Sequence, residues 1–405
     1  MRSIQLLFCS AFLTTFTVFS QEDLLIPVDN NQPNTNVQLP SMSKPTSGTF
    51  SVLIDQDVFF FSDPNLNEDR NYTQGTAFVY SNPDLLNSPF FWPLRKVETY
   101  LEKTNRTGNP IQRMNASFGL GGTAFTPLKI DSMNPIVGDR PFAFLFYAST
   151  SAGFVKTKEF HRHGETVTRK IYNTYTMNVG LFGTNLGYQF QGFAHKYIIK
   201  GRPEDPFGWN TQISQGGSPT LLLQYNRFRP LFSAGDALFN DGDKSLLDLG
   251  WNFGGSVGYY DRVFNDLYLR LGFINKSNQA RWNGGFSAVE SASFERTENP
   301  KKVNKLEAFL YARLRSTFML RNSMLVGQRW LGNDGEYVLD HDWINTAVFD
   351  FEWGAALAFN YTKGGEDRSW ALMFRQVVRS QEFNSKIFPA RNHYFGSVGL
   401  IIPVR

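Results

Sequence analysis

Four polar segments carry the side chains in this sequence that could do chemistry. The first is LIDQDVFFF, where Asp55, Gln56 and Asp57 place three oxygen-bearing side chains in a row. Such a cluster can hold a hard cation such as calcium, and it can equally be the charged mouth of a barrel strand. The second is NYTQG, in which Thr73 offers a hydroxyl and Gly75 lets the backbone turn or another chain approach closely. The third is AFTPLKIDSMNPIVGDRPFAFLFY, a loop bracketed by prolines. There Lys129 and Arg140 could pair with phosphates at a membrane surface, or Arg140 could be a turn residue paired with Asp139.

The fourth segment, GTNLGYQFQGFAHKYIIKGRPEDPFGWNTQI, is the most informative. Around YQFQGFAHKYII the period of two is lost, and Gln191 and His195 fall four apart, on one face of a helix. His161, His163, His341 and His393 sit in loops or at strand ends without such company. A helix inserted into a chain of strands sets His195 apart. The chain has no HExxH, CxxC or P-loop, and its G-x-S-x-G match, Gly254 to Gly258, lies inside an alternating strand stretch and not at a strand-to-helix turn. A water nucleophile with a histidine base is therefore simpler than a serine nucleophile.

The elements that must position these segments are strands. In FDFEWGAALAFNY, Phe349, Phe351, Trp353, Leu357, Phe359 and Tyr361 share one face, while Asp350, Glu352 and Asn360 share the other. Leu310, Leu314, Phe318 and Leu320 oppose Arg313, Arg315 and Thr317 in the same way. Leu267, Leu269 and Leu271 oppose Tyr268 and Arg270, and Met177, Val179 and Leu181 oppose Asn178. Charges centred in strands whose other face is wholly apolar, with aromatics near the ends, describe an outer-membrane barrel. Only a closed barrel leaves no strand backbone unpaired in lipid. The fold expected is all-β: an antiparallel transmembrane barrel of about twelve strands, at roughly 25 to 30 residues per strand and connection. The ending FGSVGLIIPVR alternates but lacks the terminal aromatic expected of a bacterial barrel.

The 405 residues carry a net charge of +4, too mild a balance to point to nucleic acid. Residues 1–20 read as a signal peptide, with Arg2 ahead of an apolar stretch and Val18-Phe19-Ser20 as a cleavage pattern. Cys9, the single cysteine, lies inside it, so thiol chemistry is not expected of the mature chain. Residues 21–49 read as a Pro-, Asn- and Ser-rich linker, and 50–405 as the barrel. No later run of 18 or more apolar residues offers a membrane-spanning helix.

Taken in order, DQDVF, DRNYTQG, TP with GDRPFAFL, and QGFAH with GWNTQI resemble the lipid A 3'-O-deacylase family of Gram-negative outer membranes, the LpxR-type barrels. The resemblance spans about residues 50–405. It implies a calcium-dependent ester hydrolase acting on lipid A of lipopolysaccharide at the outer rim of a monomeric barrel. It puts the catalytic histidine at His195, with Thr73 and Gln191 beside it, and the calcium pair at Gln56 and Asp57. Lys129 and Arg140 would then engage lipid A phosphates. Gln56 stands where the family has Asn, so the longer amide must retract or Asp55 must replace it. Ser214 and Gln215 stand where an acidic residue often follows the last segment. Two rival readings remain at this point: a barrel without catalysis, structural or permeable, and an outer-membrane phospholipase.

Overall fold

The computed structural model describes residues 48–404, apart from 64–65, 67–70, 106–109, 163–164, 198–205, 236–243, 276–304, 330–334, 364–365, 386 and 389–390. The signal-peptide assignment and nearly all of the linker lie outside the described residues. Twelve antiparallel strands close on themselves. They are β1 (Thr49–Gln56), β2 (Asn71–Asn82), β3 (Gln112–Thr126), β4 (Ala143–Arg162), β5 (Glu165–Phe182) and β6 (Ser218–Ala234). The circuit continues through β7 (Lys244–Gly258), β8 (Tyr260–Asn275), β9 (Leu306–Asn322), β10 (Ala347–Lys363), β11 (Glu366–Arg379) and β12 (His393–Pro403). Each strand pairs with its neighbours in sequence, and β1 meets β12 from Thr49↔Pro403 to Gln56↔Gly396. No sheet edge is left open.

The period of two sorts the side chains as expected. Leu310, Leu314, Phe318 and Leu320 stand exposed on the outer wall, as do Leu267, Leu269, Leu271, Phe351, Leu357 and Phe359. Among their lumen-side neighbours, Asp266, Arg270, Arg313, Arg315, Asp350 and Glu352 are buried and charged. Arg315 binds Asp266 through two nitrogens, at 2.6 and 2.9 Å, and Arg313 reaches Glu352 at 2.6 Å. Arg270 pairs with Asp248, and Arg375 lies 3.4 Å from Asp55. A buried charge is tolerated only when paired, so these contacts are the condition for putting arginines in the lumen. Where a porin holds water, this half of the barrel holds ion pairs.

An even strand number leaves both chain ends of the barrel at one rim. At the opposite rim lie the end of β1, the start of β2, and the connections β3–β4, β5–β6, β7–β8, β9–β10 and β11–β12. Every candidate residue from the sequence falls at this second rim. The β5–β6 connection contains the expected helix, α2 (Leu186–Tyr197). The β2–β3 connection, at the rim of the chain ends, contains a helix that strand alternation did not announce, α1 (Trp92–Thr104).

Candidate functional site

Strand register ties the first three polar segments together. Gln56 pairs with Gln74, Gln74 with Ala124, and Ala124 with Phe144, one row across β1, β2, β3 and β4. Residues directly opposite share a face. The next row toward mid-barrel, from Ile54 to Thr76, Gly122 and Phe146, contains exposed Ile54, so both rows lie on the outer wall. Three strand spacings of about 4.8 Å separate Gln56 from Phe144, roughly 14 Å of wall. One step closer to the rim, Asp57 follows Gln56 into a turn and Thr73 precedes Gln74.

Thr73 occupies a register break between β2 and β3, with Tyr72 opposite Phe125 and Gln74 opposite Ala124. A bulge of this kind re-aims one side chain, and here it brings the Thr73 hydroxyl to that of Thr126 at 2.6 Å. Asn71, which opens the strand, adopts φ of 67°, a left-handed conformation that asparagine takes more readily than bulkier residues. The segment NYT is thus a built corner.

α2 docks on the outer wall beside this row. Trp209 packs on Phe142 and Phe144, with ring centroids 5.1 and 6.3 Å apart, and donates its indole N–H to Gln191 Oε1 at 2.6 Å. Phe190 meets Phe144 at 6.4 Å. A Cβ on Gly187 would sit 2.6 Å from the Trp209 ring, so only glycine lets the helix come this close. Gly183, at φ of 72°, makes the turn out of β5 where a Cβ would strike the Ser214 carbonyl at 1.7 Å. Tyr188, Phe190 and Phe193 remain exposed on α2. Gln191 is buried and engaged by Trp209, which makes it a positioning residue. His195 lies on the next turn of the same helix.

At the candidate metal position, Asp57 is 2% exposed and its Oδ1 accepts the Val58 N–H at 2.7 Å. A buried carboxylate with the hydroxyls of Thr73 and Thr126 on the adjoining strands is oxygen chemistry that suits a hard cation. Gln56, half-buried on the outer-wall row, offers an amide oxygen next to it in sequence. Among the described residues there is no cluster of three or more His, Cys, Asp or Glu arranged for a metal. Asp55 points the other way. Tyr72 and Ser397 donate to its two oxygens at 2.7 and 2.5 Å, and Arg375 lies beside it. Asp55 is therefore committed to the lumen.

Lys129 is exposed on the β3–β4 loop, where a phosphate could reach it. Arg140 is not. Its side chain is buried, its guanidinium lies 4.2 Å over the Phe125 ring, and Glu382 is 3.6 Å away. The Asp139 carboxylate accepts the Arg140 backbone N–H at 2.8 Å, so the turn pairing uses the main chain of Arg140 and not its guanidinium. Burial pulls the Arg140 guanidinium below its ordinary value, with Glu382 opposing the shift. A surface phosphate does not meet Arg140 in this arrangement, which corrects that expectation.

His393 also has company that its place in sequence hid, for its Nδ1 lies 3.6 Å from Glu382, which Arg379 also approaches at 3.3 Å. The loop carrying Lys129 and Arg140 is stapled. Asp139 accepts from Leu128 N at 2.7 Å, and the Tyr337 hydroxyl accepts from Gly138 N at 2.7 Å. Ile213 N donates to Phe142 O at 2.9 Å, joining the β3–β4 and β5–β6 connections. Trp209 and Glu382 are the residues the sequence reading passed over. GWNTQI held the first in plain view, while Glu382 carries no local signal.

A family model described as Outer membrane protein LpxR matches residues 6–403. Among solved structures, LpxR from Salmonella typhimurium superimposes with a TM-score of 0.58 at 13% identity, covering 88% of this chain and 100% of that one. The translocator domain of autotransporter NalP from Neisseria meningitidis is far looser, at a TM-score of 0.33 and 11% identity over 88% of this chain and 87% of that one. A search of curated protein sequences finds no match.

Proposed function

The chain belongs to the outer membrane protein LpxR family, and on that premise we propose that it is a lipid A 3'-O-deacylase. It would hydrolyse the ester of the 3'-acyloxyacyl chain on lipopolysaccharide in the outer leaflet. The observation that carries this reading is the outer-wall row from Gln56 to Phe144, with α2 docked at its end. The corner at Thr73 lies toward one end of this row and α2 at the other, both at the rim away from the chain ends, which supports a site on the side of the barrel that lipid touches. The exposed aromatics of α2 suit acyl chains as neighbours.

In this mechanism His195 takes a proton from water, and the water oxygen attacks the ester carbonyl carbon. The tetrahedral intermediate collapses with loss of the sugar hydroxyl, which recovers the proton from the imidazolium. Gln191, fixed by Trp209, sets the rotation of the helix, and so where His195 stands. Thr73, held by Thr126, positions a ligand or the substrate. Lys129 meets a phosphate of the glucosamine backbone. Calcium, held by Asp57 with Gln56 and Thr73, would supply positive charge against the developing oxyanion.

The buried ion pairs that cross the lumen, Arg313 with Glu352, Arg315 with Asp266 and Arg375 with Asp55, speak against a water-filled channel. A phospholipase would share the chemistry and differ in substrate. Purified protein in detergent, given lipid A and phosphatidylethanolamine separately, distinguishes them. Release of an acyloxyacyl acid from lipid A alone supports the deacylase, and release from phospholipid alone refutes it.

A further inference from the structure

The helix at the other rim has a face that the proposed reaction does not use. α1 lies on the outer wall: Leu94 and Leu101 pack with Ala116 of β3 and with Ala152 and Phe154 of β4. Ala116 and Ala152 are cross-strand partners, and the next outward residue of β3 is exposed Phe118. Ser117 and Ser151, one residue along, are buried on the lumen side, where Ser151 accepts from Thr176. Glu98 grips Arg113 of β3 through both carboxylate oxygens, one of them at 2.8 Å, and locks the helix rotation.

With Leu94, Glu98 and Leu101 turned to the wall, the opposite face carries Trp92, Lys96, Tyr100 and Lys103. All four are exposed, and Phe90, just before the helix, is 80% exposed. Two residues along β3 from Ala116 begins the exposed apolar belt of Phe118, Leu120 and its partner Phe78. Tryptophan and tyrosine settle at the level of lipid headgroups, and lysine extends its stem over apolar surface while its ammonium reaches phosphate. Against water alone, three large aromatic side chains on one surface would be a cost without a return.

We propose that α1 is an interfacial anchor that binds the anionic phospholipid surface of the periplasmic leaflet. Phe90, Trp92 and Tyr100 enter the headgroup zone, and Lys96 and Lys103 bind phosphate. The barrel is thereby held at a fixed depth and tilt, which sets the height of the opposite rim against the outer leaflet.

The test uses full-length protein in nanodiscs of phosphatidylcholine with and without phosphatidylglycerol. A spin label is placed at Lys96→Cys in a Cys9→Ser background, and its accessibility to oxygen and to a water-soluble nickel chelate is measured. The anchor predicts a label at headgroup depth, less accessible to nickel when phosphatidylglycerol is present. It also predicts that Phe90→Ser with Trp92→Ser returns the label to water while heat-modifiable migration, the sign of a folded barrel, is unchanged. Equal aqueous accessibility in both lipids overturns the proposal. So does a label shielded only in native outer-membrane vesicles, since a protein would then cover this face.

Discussion

Trp209 and Gln191, 18 residues apart, meet at 2.6 Å through a buried indole N–H and amide oxygen, and this bond joins the loop before β6 to the helix that carries His195. Trp209→Phe keeps the ring packing and removes the donor, leaving a buried carbonyl short of a partner at a cost of about 1–3 kcal/mol. Deacylation should fall by roughly tenfold while the barrel still migrates as folded. Gln191→Leu combined with Trp209→Phe should be no worse than the poorer single variant, because the two act as one unit. Additive losses in kcat/KM would show that the residues work separately.

Thr73 and Thr126 share a hydrogen bond at the bulge, so the hydroxyl and not the shape is the point of Thr73. Thr73→Val should lower activity by roughly 10- to 100-fold, the value of about 1–3 kcal/mol for a lost buried polar contact. Thr73→Ser should restore most of it. If the valine variant works as well as wild type in a lipid A assay, Thr73 has only a structural place.

Lys129 and Arg140 should part company. Lys129→Ala removes an exposed charge and should raise KM for lipid A with little effect on folding. Arg140→Met leaves Glu382 without a guanidinium that lies 3.6 Å away, so it should lower the temperature of the gel shift that marks unfolding. Equal effects of both variants on KM alone would place Arg140 at the substrate after all.

Glu382 gives a pH test. Burial alone would raise its carboxyl, but the guanidiniums of Arg379, Arg140 and Arg262 around it hold it below its ordinary value of 4.5, while the neighbouring His393 is itself pulled down to about 3 by burial and is neutral at neutral pH. A carboxyl depressed in the folded state adds stability above its unfolded pKa and loses it as pH falls through the folded one. Glu382→Gln should therefore unfold at lower temperature than wild type at neutral pH, and the gap should narrow as pH falls below about 4.5. A gap that is constant with pH would mean the charge of Glu382 is not what stabilises.

Most of the barrel was legible because strand alternation is local. Arg313 beside Leu314, or Asp350 beside Phe351, declares lumen and lipid without knowledge of any partner strand. The helix at Gln191 and His195 was legible for the converse reason, as a break in that period. Pairings distant in sequence were not, and Arg140 with Glu382 is the clearest: a Gly-Asp-Arg-Pro turn reads as surface until β11 and β12 close over it. α1 was passed over because Leu94, Val97 and Leu101 recur at helical spacing inside a connection that alternation treats as a gap. The outward row from Gln56 to Phe144 required strand register, which the four segments in order only implied.

His195 is proposed to activate water against the 3' ester of lipid A. Mass spectra of lipid A from a Gram-negative host test it directly, comparing wild type with His195→Ala, with calcium and with chelator. The expected result is lipid A lighter by one acyloxyacyl group only for wild type with calcium, with wild type and His195→Ala both folded by gel migration. Intact lipid A under every condition, or the same lighter species from His195→Ala, would contradict it.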